Sequence, residues 1–388
     1  MKKSLVALAA LAASSAFAQV TISGLFDAGY QTLDLKGNKV TNSAASNGSG
    51  TTAVVFGITE DLGGGLKFNG RWEIDPALTE TTNKTAGTAA TGTTSNVTGS
   101  YGNGSSFVGV SGGFGEIRFG TPNSQTLAAN GDGNSGFATA IGSGYRVHSF
   151  DAVRFLNSLR YDSPVFGGFS FSYLVSAKND KQSLGGTTGL LGNQNNITNG
   201  RDEVSELGLT YAQGPLTVRY ADLTVKQWGK ISNSTDNFTT APTWQTVDGD
   251  KFRLKTLSAK YEFNAQLTAG AFFQTTNSDP LTTATSTTKV YDRNSQGISA
   301  AYAVTPTMKL MINVASVKTG ADENVGTANK TTNITGLGAD YALSKRTNLY
   351  FRSETNKDEA GARSITGYTA VGTNTKYSAN AVGIRHTF

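Results

Sequence analysis

Hydrophobic and polar positions alternate with a period of two in one segment after another. The run Leu66-Lys-Phe68-Asn-Gly70-Arg-Trp72-Glu-Ile74-Asp75 shows this clearly. Leu66, Phe68, Trp72 and Ile74 share one face, and Lys67, Asn69, Arg71, Glu73 and Asp75 share the other. A period of two is the strand period. The run into Phe388 repeats it, with Val382, Ile384 and Phe388 on one face and Gly383, Arg385 and Thr387 on the other. Left as a raw edge, such a strand would invite pairing with another chain. If it pairs with the first strand and closes a barrel, no edge remains.

The same rule predicts strands near 20–33, 52–60, 66–75, 105–111, 116–121, 153–162, 168–177, 203–212, 216–223, 252–262, 265–275, 292–304, 307–318, 332–342, 347–356 and 378–388, sixteen in all. Their connections alternate between tight and long. The tight ones (60–65, 112–115, 163–168, 212–215, 262–265, 304–307 and 343–347) draw on Gly, Pro, Asn and Ser, the residues of hairpin turns. The long ones (35–50, 76–104, 122–152, 178–202, 224–251, 276–291, 319–331 and 357–377) are rich in Thr, Asn, Ser and Gly.

One amphipathic strand fits a soluble sandwich, apolar face inward, as well as a membrane barrel, apolar face to lipid. The sorting of loops by length separates the two, because outer-membrane barrels carry short turns at one end and long loops at the other. The strands run near the ~9–11 residues that a tilted membrane strand needs. Only a closed barrel places so much strand in lipid without unsatisfied backbone groups. Sixteen strands leave an interior wide enough for an aqueous channel. The expected fold is therefore all-β: a sixteen-stranded antiparallel transmembrane barrel over residues 19–388.

Composition narrows the setting. Residues 1–18 read as a secretory signal, with Lys2 and Lys3 at the charged start, an apolar centre from Leu5 to Ala13, and Ala16-Phe17-Ala18 as the cleavage site. That apolar centre is about half the ~20 residues of a spanning helix, so cleavage before Gln19 is expected. The chain has no cysteine, which excludes a disulfide framework. Its two histidines, His148 and His386, lie far apart and give no zinc spacing. No metal or cofactor is expected. The net charge of +5, from 33 basic and 28 acidic residues, would fall to +3 on loss of Lys2 and Lys3. Without a basic cluster interleaved with aromatics, this excess does not indicate nucleic acid.

With the strands placed, the sequence resembles the general porins of Gram-negative bacteria, most closely the trimeric beta-proteobacterial type. The resemblance rests on Val20-Thr-Ile-Ser-Gly-Leu-Phe-Asp-Ala-Gly-Tyr30, Glu60-Asp-Leu-Gly-Gly-Gly-Leu-Lys67 and Val108-Gly-Val-Ser-Gly-Gly-Phe-Gly115. Asn157-Ser-Leu-Arg-Tyr-Asp-Ser-Pro164, Tyr341-Ala-Leu-Ser-Lys-Arg-Thr347 and the ending Gly383-Ile-Arg-His-Thr-Phe388 complete it. It implies an outer-membrane homotrimer, surrounded by lipid and lipopolysaccharide, with a water-filled pore in each subunit. Small hydrophilic solutes would pass through, and Arg71, Arg118 and Arg160 lead to the expectation that inorganic or organic anions are preferred. It also implies that the third long loop, 122–152, folds inward to narrow the channel, and that Phe388 is read as an assembly signal.

Three arginines, Arg71, Arg118 and Arg160, fall on the polar face of neighbouring strands. In similar porins basic wall residues at these strands face the inward loop and set up a transverse field, and a narrow polar channel focuses such a field. The bland alternative is that they balance Glu73, Glu116 and Asp162. The third loop carries Asp132, Arg146, His148 and Asp151, with Arg154 just beyond, and 131–144 is dominated by small residues. Asp132 and Asp151 are the candidates for an acidic counter-wall, and turn-capping is the alternative. Tyr30, Trp72, Phe119, Tyr161, Tyr173, Tyr211, Tyr220, Tyr261, Tyr341 and Phe388 read as outward aromatics near strand ends, the girdle pattern.

An outer-membrane hydrolase would need a nucleophile with a histidine base in reach. His386 sits on the lipid-side parity of its strand, which argues against an enzyme. A soluble adhesin would show neither aromatic belts nor length-sorted loops.

Overall fold

The computed structural model describes residues 19–35, 38–46, 48–76, 78, 104–148, 153–155, 157–176, 203–226, 251–279, 292–321, 329–358 and 375–388. The candidate signal at 1–18, Asp151 and most of the long loops lie outside them, as does the side chain of Arg146.

The strands are β1 (Gln19–Leu35), β2 (Asn38–Ser46), β3 (Ala53–Gly63), β4 (Leu66–Ile74), β5 (Ser106–Gly112), β6 (Gly115–Thr121), β7 (Ser158–Asp162), β8 (Phe169–Ser176) and β9 (Glu203–Gln213). They continue as β10 (Leu216–Lys226), β11 (Lys251–Glu262), β12 (Leu267–Ser278), β13 (Asp292–Ala303), β14 (Met308–Thr319), β15 (Thr331–Ala342), β16 (Thr347–Asp358) and β17 (Thr375–Thr387). Two helices, α1 (Gln125–Gly133) and α2 (Tyr145–His148), lie in the third long loop. All sixteen expected strands are present. β2 is additional; it pairs with the upper part of β1, which ends at Leu35, close to the end expected for it.

Each neighbouring pair is antiparallel, and β1 pairs with β17 in the register Asp27↔Arg385 and Tyr30↔Val382. The Gly24 and Phe388 main chains exchange two hydrogen bonds, each 3.1 Å. The terminal strand thus closes the sheet on itself, as its aromatic tip suggested.

The tight turns follow local chemistry. Gly63, Gly64 and Gly65 have φ of 80°, 62° and 82°, a left-handed run that only glycine adopts without strain. At the β11–β12 turn the Asn264 side-chain carbonyl accepts from the backbone N–H groups of Gln266 and Leu267, both at 2.8 Å.

Side chains sort by strand parity. Val20, Ile22, Trp72, Phe119, Leu257, Ile298, Ile312, Tyr341 and Val382 are exposed on the outer surface. A soluble fold would bury these residues, whereas a lipid-facing wall presents them. Phe56 stacks on Trp72 across β3 and β4, and Phe26 packs on Phe388 across the closing seam.

The inner face departs from simple alternation. Phe272, Ala315, Val317 and Ile334 form one buried cluster, and Phe137, Ala301 and Met311 form another. All but Phe137 come from the inner wall of β12–β15, where a wet lumen alone would require polar groups. Phe137 belongs to the third loop. The apolar patch is the floor on which that inward-folded loop rests.

Candidate functional site

The third loop, 122–157, enters the barrel after β6. Ser124 caps α1 by accepting from the Leu127 N–H at 3.0 Å. The Glu206 carboxylate, inward on β9, accepts from the N–H groups of Gln125 (2.5 Å) and Thr126 (2.9 Å) and from the Thr126 hydroxyl (2.7 Å). An acid there satisfies orphan donors and complements the helix dipole.

Further along, Ser299 donates to the Gly133 carbonyl, and Asn313 donates to the carbonyls of Gly142 and Ser143. Glu354 accepts from the N–H groups of Gly142 (2.8 Å) and Gly144 (3.1 Å). Gly336 opposite must be glycine, because a Cβ there would fall 1.9 Å from the Gly142 carbonyl oxygen. His148 is buried and stacks on Phe272 with ring centroids 4.3 Å apart. Burial lowers its pKa to about 4, against the smaller pull of Gln274 and Ser143, so the imidazole is neutral in ordinary buffer.

The three predicted arginines converge on one stretch of wall. Arg118 and Arg160 are direct cross-strand neighbours, and Glu116 and Asp162 form the adjoining pair. Two like pairs side by side would be unfavourable, but diagonal and same-strand contacts compensate. Arg118 pairs with Glu116 and reaches Asp162 at 3.6 Å. Arg160 grips Asp162 through Nε (3.0 Å) and Nη2 (2.7 Å) and donates to the Asn123 carbonyl at 2.5 Å. Arg71 holds Glu73 at 2.5 Å, and Arg154 bridges Asp75 (3.2 Å) and Glu73 (3.5 Å). The patch therefore holds four guanidinium groups and four carboxylates. Arg118 also lies over the Phe107 ring at 5.0 Å.

Exposure distinguishes these pairs. The Arg71 side chain is 38% exposed against 10% for Glu73, and Arg118 is 26% against 19% for Glu116. Arg160 reverses this, at 10% against 27% for Asp162. Arg71 thus extends past its partner and Arg118 past Glu116, though level with Asp162 at 27%, whereas Arg160 and Arg154 hold the two ends of the third loop.

Asp132 lies on α1. It pairs with Arg219 of β10 at 2.5 Å and approaches Lys260 of β11 at 3.8 Å. Sequence reading missed Glu206, Glu354 and Arg352 as anchors of the loop. Their inward parity was readable, but nothing local announces which inward group a distant loop will meet. Among the described residues no cluster of His, Asp and Glu could hold a metal ion.

A closed barrel with a lipid-facing apolar exterior, a charged interior and a loop folded across its lumen is an outer-membrane diffusion channel. The family model described as Gram-negative porin matches residues 4–361, and the chain belongs to that family. It is 29% identical over the full length of both chains to major outer membrane protein P.IB of Neisseria gonorrhoeae. Among solved structures it is similar to an anion-selective porin from Comamonas acidovorans, with a TM-score of 0.69 and 22% identity, covering 96% of this chain and 100% of that one. OmpT of Vibrio cholerae in a trimer form matches with a TM-score of 0.61 and 14% identity, covering 96% of this chain and 99% of that one. The chain is thus an outer-membrane porin, a passive channel and not an enzyme.

Proposed function

We propose that this porin is a homotrimer whose pores pass ions and small hydrophilic solutes with a preference for anions, and that Arg71 and Arg118 carry most of that preference. The observation behind this reading is the exposure of Arg71 beyond its paired Glu73 and of Arg118 beyond Glu116. Among the described residues of the third loop the one acid is Asp132, and it is engaged on the β10–β11 wall. Along the channel the arginines lie between Glu116 and Asp162, nearer the short turns, and Glu73 and Asp75, nearer the long loops. An anion at their level meets cations first. Both arginines are partly buried in the wall, and partly buried charges are screened by bulk ions less than exposed ones, even with a Debye length of ~8 Å at physiological salt.

Reversal potentials in a salt gradient across a planar bilayer test the proposal. Replacing Arg71, Arg118 and Arg160 together by glutamine shifts selectivity toward cations, most at low salt. Unchanged selectivity in correctly assembled trimers would show that the paired carboxylates already cancel the field. The names of the similar proteins support an anion-preferring trimer, since one is an anion-selective porin and another a trimer form.

A further inference from the structure

β2 and β3 are one strand interrupted. Along β1, pairing with β3 runs from Gln19↔Thr59 to Leu25↔Ala53, and pairing with β2 runs from Ala28↔Ser46 to Leu35↔Asn38. Between them, residues 48–52 leave the ladder. Backbone that leaves a barrel wall toward lipid would strand its polar groups, so it must turn to the lumen or be buried in protein. Here it turns inward.

Asp27 shows the direction. It is fully buried and alternates with outward Phe26, so its carboxylate points inside. One oxygen accepts from the N–H groups of Ser49 and Gly50, each at 2.7 Å, and the other accepts from the Tyr350 hydroxyl at 2.6 Å. The Asp27 N–H donates to the Thr52 hydroxyl at 3.1 Å. The Ser49 hydroxyl accepts from Arg352 at 3.0 Å and from Arg385 at 3.4 Å. A Cβ on Gly48 would meet the Tyr350 hydroxyl at 2.5 Å, so the segment lies close against β16.

Arg352 connects this segment to the third loop. It pairs with Asp340 at 2.8 Å, and its guanidinium lies 5.9 Å from the Phe137 ring centroid. Glu354, the next inward residue on β16, holds Gly142 and Gly144. Two inward elements therefore meet on one strand.

We infer that the segment 48–52 is a second restriction of the channel, set against the β1–β17 seam, latched by Asp27 and tied to the third loop through Arg352. Solute size is then limited from two sides, and Asp27 is a positioning residue for that limit.

The chain has no cysteine, so Gly50→Cys introduces a unique thiol. The site has room, since an added Cβ meets Leu25 and Arg385 at 3.4–3.8 Å, ordinary contact. Trimers in a planar bilayer are treated with a trimethylammonium-ethyl methanethiosulfonate, with labelling read by mass spectrometry. The expected result is loss of current in discrete steps as subunits are modified, with no effect on wild-type pores. Full labelling without loss of current would overturn the inference, and so would a thiol that the water-borne reagent never reaches. In parallel, Asp27→Asn weakens the latch while keeping its shape. Conductance then rises by up to about two-fold, as expected when a water-filled constriction widens, and larger neutral sugars enter liposomes faster. Assembled Asp27→Asn trimers with unchanged conductance and sugar cut-off would count against it. Should that variant fail to assemble, the thiol result decides alone. Wild-type conductance is measured throughout, so failure of the channel itself is told apart from failure of this inference.

Discussion

Arg71 and Arg160 look alike in the sequence, each an inward arginine beside an acid two positions away, yet their surroundings assign them different work. Arg71 extends past Glu73 into the lumen, whereas Arg160 turns back to bind the Asn123 carbonyl at the start of the third loop. Asp75, just beyond the end of β4, adds a response to pH. Burial raises its pKa from 3.8 to about 6, the Glu73 carboxylate pushes the same way, and Arg154 opposes both. Above that pH the carboxylate is ionised and balances Arg154. As pH falls through about 6 it takes up a proton, and the patch of Arg71, Glu73, Asp75 and Arg154 gains one positive charge. Reversal potentials should therefore move further toward anions between neutral pH and about pH 5, and Asp75→Asn should remove that movement. The charged groups facing Asp75 are Glu73, two residues before it, and Arg154 on the returning loop. A pH-independent selectivity in the wild type would refute the assignment.

At the scale of the elements, alternation located every barrel strand except β2, because the lipid face of each strand is chosen by hydrophobicity residue by residue. On β4 the parity makes a sharp forecast. Arginine at outward Phe68 or Ile74 should destabilise the barrel by up to ~2–4 kcal/mol at mid-membrane, as judged by urea unfolding in detergent or lipid. Arginine at inward Asn69, which donates to Ser111 and Glu116, should leave unfolding nearly unchanged and alter conductance instead. Equal losses at all three positions would show the parity to be wrong. What alternation could not reveal is anything that depends on a meeting of distant segments. The resemblance implied an inward third loop, but the apolar floor beneath it, Phe272 and Met311 among others, reads in sequence like a break in the pattern. The interruption between β2 and β3 was invisible for the same reason. Its residues are Gly, Ser and Thr, which read as ordinary loop, and the acid that holds them lies on another strand.

For the whole molecule, secretion and assembly are the remaining proposals. We propose that the mature chain begins at Gln19, which amino-terminal sequencing of membrane-extracted protein would establish; a retained Lys2-Lys3 segment would refute it. Phe388 sits at the seam, its ring 5.0 Å from Phe26 and its main chain bonded to Gly24. Deleting it should lower the yield of assembled trimer on semi-native gels far more than it changes the conductance of those trimers that form. Normal yield after deletion would argue that β17 needs no terminal aromatic.

The pairing of β1 with β17 also orders events in time. These two strands lie nearly the whole chain apart, so the last hydrogen bonds of the barrel wait for its final residues to arrive. Until then both outer strands are open edges, and each is the natural template for a stranger as well as for the other. Contacts of such long sequence separation form slowly. A newly exported chain therefore passes through a vulnerable interval whose length is set by the seam, and whatever shields the two ends during that interval governs how much protein survives to become a channel.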